Sequence, residues 1–389
     1  MSKSILEQKF KEKSIEANPE FARQYKQKII EQVFYELSEK KNRYIFFCPD
    51  LAAVNNLAKL IYETAYEVKS LGYEVLVLHE IDGFKCKWLF SQKEYRHLKE
   101  IKTDYIITKK SSKSKKTKSN YAFKPSDTII IPDQFQEMVD NLLDVKILQK
   151  ILLVSSYASI YHLSPGYNYS NLGINKVLFT EDKLYNDYCK IFPNSVEDFV
   201  SFKSMPINTE FYSGRINREI LPVISISNIG NVELAQQVMN TFFNLYPQLR
   251  VFSFKILDRQ DMELYRENLR KSALVLLLDK VIGNSQIFLE CISMGTPVGT
   301  ISRDELNNEL LENVYFGNTA LEIVNNLAQF CSNWLSISTK EITESVKKIQ
   351  DTSKNNYINY KLELNKVFNE LQEKRIEYFA KIKKTLDNQ

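Results

Sequence analysis

A few residues in this chain combine side-chain type and spacing in ways that could do chemistry. Glu290 lies on an apolar helix-like stretch, 286–294, directly after a polar loop. Gly283, Asn284 and Ser285 fall in that loop, where the first turn of a helix leaves backbone N–H groups free to hold an anion such as a phosphate. His79 closes an apolar run at 73–79; its imidazole can transfer a proton or bind a substrate, or simply complete a core. Glu80 follows it and stays open in the same way. Asp133 ends the run IIIPD, where a carboxylate either touches a ligand or caps the next helix. Ser227 and Asn228 end another run at 222–227 and can donate hydrogen bonds but bring no charge. Tyr157 could stack on a ligand or pack in a core, and Trp88 reads as structural.

Composition excludes several classes of function. A net charge of +4 over 389 residues is too small to mark the whole chain as a nucleic-acid binder. One basic run stands out, KKSSKSKKTK at Lys109–Lys118, which reads either as a solvated loop or as a contact to nucleic-acid phosphates. The cysteines (Cys48, Cys86, Cys189, Cys291, Cys331) and histidines (His79, His97, His162) are scattered, with no CxxC and no local Cys/His cluster. Neither a metal centre nor a disulfide framework is expected, and a reduced cytoplasm fits. The first twenty residues lack the apolar core of a secretion signal, and no run is long enough to span a membrane.

The surrounding pattern supplies two sets of elements to position these residues. Residues 1–42 form a helical extension with Phe21, Tyr25, Ile29, Val33 and Leu37 on one face. Continuous apolar runs at 44–48, 73–79, 104–108, 127–132, 150–155 and 176–180 suit strands buried on both faces. A helical stretch with Gly72 at its end separates the first two, and another with Phe135, Met138, Val139 and Leu142 follows Asp133. Strand–helix–strand units of this kind pair in parallel, giving a first Rossmann-like domain over 43–210. Residues 207–221 read as a linker. The same grammar restarts over 211–336, with strands at 222–227, 250–257, 274–278 and 298–301 and helices at 232–246, 261–272 and 286–294. Residues 337–389 form a helical tail whose Tyr357, Tyr360, Leu364, Val367 and Leu371 repeat at heptad-like spacing. That stripe serves either packing on the body or a homodimer. The fold class is α/β, two doubly wound parallel-sheet domains facing a cleft, with ligands expected at the carboxyl ends of the strands.

The segment VIGNSQIFLECISMGTPVG, 281–299, resembles the donor-site signature of retaining GT-B glycosyltransferases, a loop followed by a helix and a Gly-x-Pro turn. Weaker motifs extend the likeness over about 43–335: CPDL at 48–51, LHEIDGFKCKWL at 78–89, IIIPDQF at 129–135, SSYASIYHL at 155–163 and INKVLFTEDKLYNDYCKIFP at 174–193. Their order looks like glycosyltransferases of the family-4 kind found in bacteriophage and marine bacterial genomes. The resemblance implies a UDP- or GDP-linked sugar as donor, its ribose on Glu290 and its phosphates near Asn284 and Ser285. It implies a retaining reaction without a bound metal or other cofactor. The acceptor, a glycan or a modified DNA base, would lie near Asp50, Asn55, His79 and Asp133.

The chain departs from that pattern at three places. Ile282 stands where the family has a first glutamate. The stretch SISNIGNVELAQ, 225–236, lacks the cations that neutralise a departing diphosphate. Asn55 and Asn56 replace a Gly-Gly pair, although asparagine tolerates the left-handed turn. These departures keep open a second reading, a catalytically inactive relative serving as a structural or assembly subunit.

Overall fold

The computed structural model describes residues 19–51, 56–91, 93–107, 121–133, 149–155, 174–180, 182–192, 199–201, 219–227, 231–258, 262–278, 286–301 and 316–387. The chain divides into two compact units. One holds residues 1–91, 96–203 and 361–389; the other holds 92–95 and 204–360.

Among the described residues, the first unit is built on seven strands: β1 (Arg43–Phe47), β2 (Glu74–Ile81), β3 (Lys102–Ile107), β4 (Thr128–Pro132), β5 (Gln149–Val154), β6 (Lys176–Phe179) and β7 (Phe199–Ser201). They lie in the order β3-β2-β1-β4-β5-β6-β7, every pairing parallel. The chain runs outward from β1 to β3 and then returns to the other side of β1. The switch point therefore lies between β1 and β4, where open sheets of this kind bind ligands at the strand carboxyl ends. Alternate residues Ile45, Phe47, Leu76, Leu78, Ile129, Ile131, Leu152 and Val154 fill one buried face with Tyr188. The opposite face begins at Tyr44, whose ring meets Tyr73 and Phe368 edge-on. Covering both faces accounts for the unbroken apolar runs in the sequence.

Helices α1 (Pro19–Ser38), α2 (Asn56–Ser70), α3 (Lys87–Phe90) and α4 (Asp182–Ile191) belong to this unit. Gly72, just past α2, has φ +88°, the left-handed cap read from sequence. Along α1, Ile30, Val33 and Leu37 are buried while Phe21 is exposed, so the expected stripe covers only the C-terminal half of the helix.

The described residues of the second unit form four parallel strands, β8 (Leu221–Ser227), β9 (Ser253–Leu257), β10 (Ser272–Leu277) and β11 (Val298–Thr300), in the order β11-β10-β8-β9. Helices α5 (Val232–Leu245), α6 (Met262–Lys271), α7 (Gln286–Ser293) and α8 (Ala320–Ser336) accompany them. Val238 and Phe242 of α5 meet Ile323 and Leu327 of α8 in the core; Val232, expected inward, is half exposed at the first turn.

The chain ends in one long helix, α9 (Thr339–Asp387). Its residues to Tyr360 belong to the second unit and the rest to the first. Tyr357, Tyr360, Leu364, Val367 and Leu371 are all buried within the chain, so the heptad-like stripe packs on the protein's own body. Any homodimer through α9 would use its other faces. Arg375 shows how firmly this helix is fixed. Its guanidinium donates to Ser126 O (2.7 Å), Pro125 O (2.9 Å) and Thr128 Oγ1 (3.0 Å), at the entry to β4. Burial lowers its pKa to about 10, and nearby Tyr44 and Asp127 oppose that shift. Gln372 and Asn42 pair their side-chain amides reciprocally, at 3.0 and 3.2 Å, which ties α9 to the residue before β1. Among the described residues, no helix is long and apolar enough to cross a membrane.

Candidate functional site

In the first unit, Asp50 and Asp133 follow the two strands of the switch point. Each reaches to the strand on its outer side. Asp50 accepts from His79 Nδ1 (3.1 Å) and Glu80 N (3.1 Å) on Oδ1, and from Ile81 N (2.9 Å) on Oδ2. Asp133 accepts from Ser155 N (3.0 Å) on Oδ2 and Ser155 Oγ (3.2 Å) on Oδ1. Both carboxylates thus lace the strand ends, Asp50 to β2 and Asp133 to the residue after β5.

His79 is only 1% exposed, and both ring nitrogens are engaged. With Nδ1–H donated to Asp50, Nε2 accepts from the Tyr62 hydroxyl at 2.7 Å. Burial lowers the pKa of the imidazole, and Asp50 pulls the other way. With this tautomer His79 bridges Asp50 and Tyr62 and fixes the strand end. Trp88 donates its indole N–H to Leu51 O at 3.1 Å, the structural role expected of it.

The same region holds a group that sequence spacing could not reveal. The thiols of Cys48 and Cys86 and a ring nitrogen of His79 lie within 4.8 Å of one another, all buried. Cys48 directly follows β1 and bonds its N–H to Leu78 O at 3.0 Å, which places it beside His79 on β2. Cys86 stands at the start of α3. The expectation that no cysteine–histidine cluster forms is corrected here: parallel pairing and the return of the chain into α3 assemble one from distant positions.

In the second unit, Glu290 lies on α7 and is fully buried, at 0% exposure. The Tyr265 hydroxyl of α6 donates to its Oε2 at 2.6 Å. Arg266, next in the chain, is partly buried; burial lowers its pKa, against the pull of the Glu290 charge. The turn after α7 is tightly built. Gly295 has φ +71°, Thr296 Oγ1 donates to Leu269 O at 2.9 Å, and Val275 N donates to Pro297 O at 2.9 Å. A Cβ at Gly295 would lie 2.6 Å from Val346 Cγ1, so this position needs glycine for both its φ and its space.

Ser227 ends β8 and is buried. Asn231 caps α5, its Oδ1 accepting from Leu234 N at 2.9 Å. One of the free N–H groups at that helix start is thereby satisfied within the chain. Asn55, Asn228, Gly283, Asn284, Ser285, Tyr157 and the basic run 109–118 lie outside the described residues, as does the side chain of Asn56.

Several solved structures share this architecture. Anabaena HepE in complex with UDP and glucose superposes with a TM-score of 0.55 at 11% identity, covering 86% of this chain and 100% of its own. The OtsA apo structure gives 0.54 at 11% identity, with 85% and 99% covered. The fold is GT-B. A trehalose-6-phosphate structure from E. coli bound with UDP-2-fluoro glucose gives 0.53 at 10% identity, again over 85% and 99% of the two chains. No family model and no curated protein matches the sequence. At these identities the likeness fixes the GT-B fold and leaves activity to be argued from the residues.

Proposed function

We propose that the protein is a glycosyltransferase that takes its sugar from a nucleotide donor. The observation that carries this reading is Glu290. A carboxylate buried to 0% exposure is costly for a helix whose remaining described side chains are mostly apolar. Here it is kept, oriented by Tyr265, one turn before the Gly295–Pro297 bend. That is the place which the resemblance assigns to the ribose contact, and the GT-B fold supplies the setting. By the resemblance, Gly283, Asn284 and Ser285, before α7 in the chain, would receive the phosphates, and Ser227, Asn228, Asn55 and Asn56 are the further residues given to donor binding. Retention of configuration, independence of a bound metal, and an acceptor that is a glycan or a modified DNA base follow from the same resemblance. On the acceptor side, Asp50, His79 and Asp133 hold the strand ends in place, so we assign them the shaping of that wall and not proton transfer.

A second reading draws on the region after β8. No cation occurs in 225–236, and Asn231 already caps α5. Both features suit a GT-B scaffold that has lost transfer and serves as an assembly subunit. Incubating the protein with UDP-, GDP- and ADP-sugars and measuring nucleoside diphosphate release separates the two. Release above the spontaneous rate with one donor, lost in Glu290→Ala, supports the transferase. No release together with no binding of any nucleotide supports the scaffold.

A further inference from the structure

We propose that Cys48, His79 and Cys86 form a binding site for a thiolate-preferring divalent cation of the zinc class. Three donors converge there, two sulfurs and one imidazole nitrogen, within 4.8 Å of one another and all buried. Two thiolates and an imidazole are the donor set that zinc favours over magnesium or calcium. Distances of this order among free ligands can contract onto one ion through small side-chain rotations, since zinc–sulfur bonds are about 2.3 Å and zinc–nitrogen bonds about 2.0 Å.

The groups that hold these donors have the form such sites use. Asp50 accepts the Nδ1 proton of His79 at 3.1 Å, which fixes the tautomer and leaves the Nε2 lone pair as the ligand. Asp50 is itself locked by the backbone N–H groups of Glu80 and Ile81. Tyr62 places its hydroxyl 2.7 Å from Nε2. The hydroxyl therefore occupies the corner that an ion would enter. On binding, Tyr62 yields its hydrogen bond to Nε2, and the fourth position falls to water or to the Tyr62 oxygen. Each thiol releases its proton to solvent as it becomes a ligand, and the neutral imidazole releases none. The ion would join the ends of β1 and β2 to the start of α3, a structural role independent of the sugar chemistry proposed above.

The test uses the full chain, purified under reducing conditions, stripped with a chelator and titrated with Co2+. The expected result is stoichiometric uptake with a thiolate-to-cobalt absorption in the near ultraviolet, displaced by Zn2+ and lost in Cys86→Ser. The double variant Cys189→Ser/Cys331→Ser, whose cysteines lie outside the cluster, keeps the band. Should Cys86→Ser fail to fold, the wild-type titration decides alone. Absence of the band in the wild type overturns the proposal. So does its persistence in a folded Cys86→Ser, or mass-spectrometric detection of a Cys48–Cys86 disulfide in the protein isolated without reductant.

Discussion

Tyr265 and Glu290 meet in a hydrogen bond of 2.6 Å, phenol donating to carboxylate, with both side chains out of contact with solvent. The bond joins α6 to α7 and fixes the one buried charge on the helix that precedes the Gly295–Pro297 turn. Tyr265→Phe removes the donor but keeps the ring. The carboxylate then stays buried with a partner fewer, at a cost of about 1–3 kcal/mol. Urea unfolding of the two proteins measures it, and an unchanged midpoint would mean that the bond contributes nothing to the fold. Affinity for the donor nucleotide should weaken in the same variant.

Gly295 and Gly72 both adopt positive φ, at +71° and +88°, but their surroundings differ. A Cβ at Gly72 meets nothing within 4 Å, whereas at Gly295 it would strike Val346 Cγ1 at 2.6 Å and Val346 O at 2.8 Å. Gly72→Ala should cost only the left-handed backbone strain, about 1–2 kcal/mol. Gly295→Ala carries that strain and a clash with α9 backbone as well, so it should lose distinctly more. Thermal unfolding of the pair gives the ordering, and equal losses would contradict the packing described for the turn.

Much of this fold is written in the sequence because of how it is buried. Parallel strands covered on both faces need continuous apolar runs, so YIFFC and KILLVS announce β1 and β5 directly. The edge strand β7 has only three residues, too few to show any pattern. Helix α8 announces itself only at its start, where Thr319 and Glu322 form a reciprocal capping box, readable as T-x-x-E. The site divides in the same way. Glu290 was legible because its helix and turn are local. The cluster of Cys48, His79 and Cys86 was not, since only strand pairing brings its members together. The tie of His79 to Asp50 was hidden for the same reason.

Glu63 offers a test by pH. Burial raises the pKa of its carboxyl, and His97, with Nε2 3.5 Å away, only partly opposes the shift. The folded state thus prefers the protonated acid. Below the ordinary glutamate range both states are protonated and Glu63 is neutral to stability. As pH rises, the unfolded chain ionises first, and stability is lost until the folded carboxyl ionises too. Glu63→Gln should therefore match the wild type at acid pH and exceed it in stability at pH 7. Denaturant midpoints at the two pH values report this. A variant weaker than wild type at pH 7 would show that the pairing with His97 outweighs desolvation.

Glu290 is the residue on which the proposed nucleotide site rests. Titration calorimetry with UDP- and GDP-sugars on the wild type and Glu290→Gln tests it most directly, once ligand-free unfolding midpoints show that both are folded. Saturable binding of one donor by the wild type is expected, with at least a tenfold loss in the variant, which corresponds to about 1.4 kcal/mol. Equal affinity in the two proteins, or no binding of any sugar nucleotide by the wild type, would contradict it.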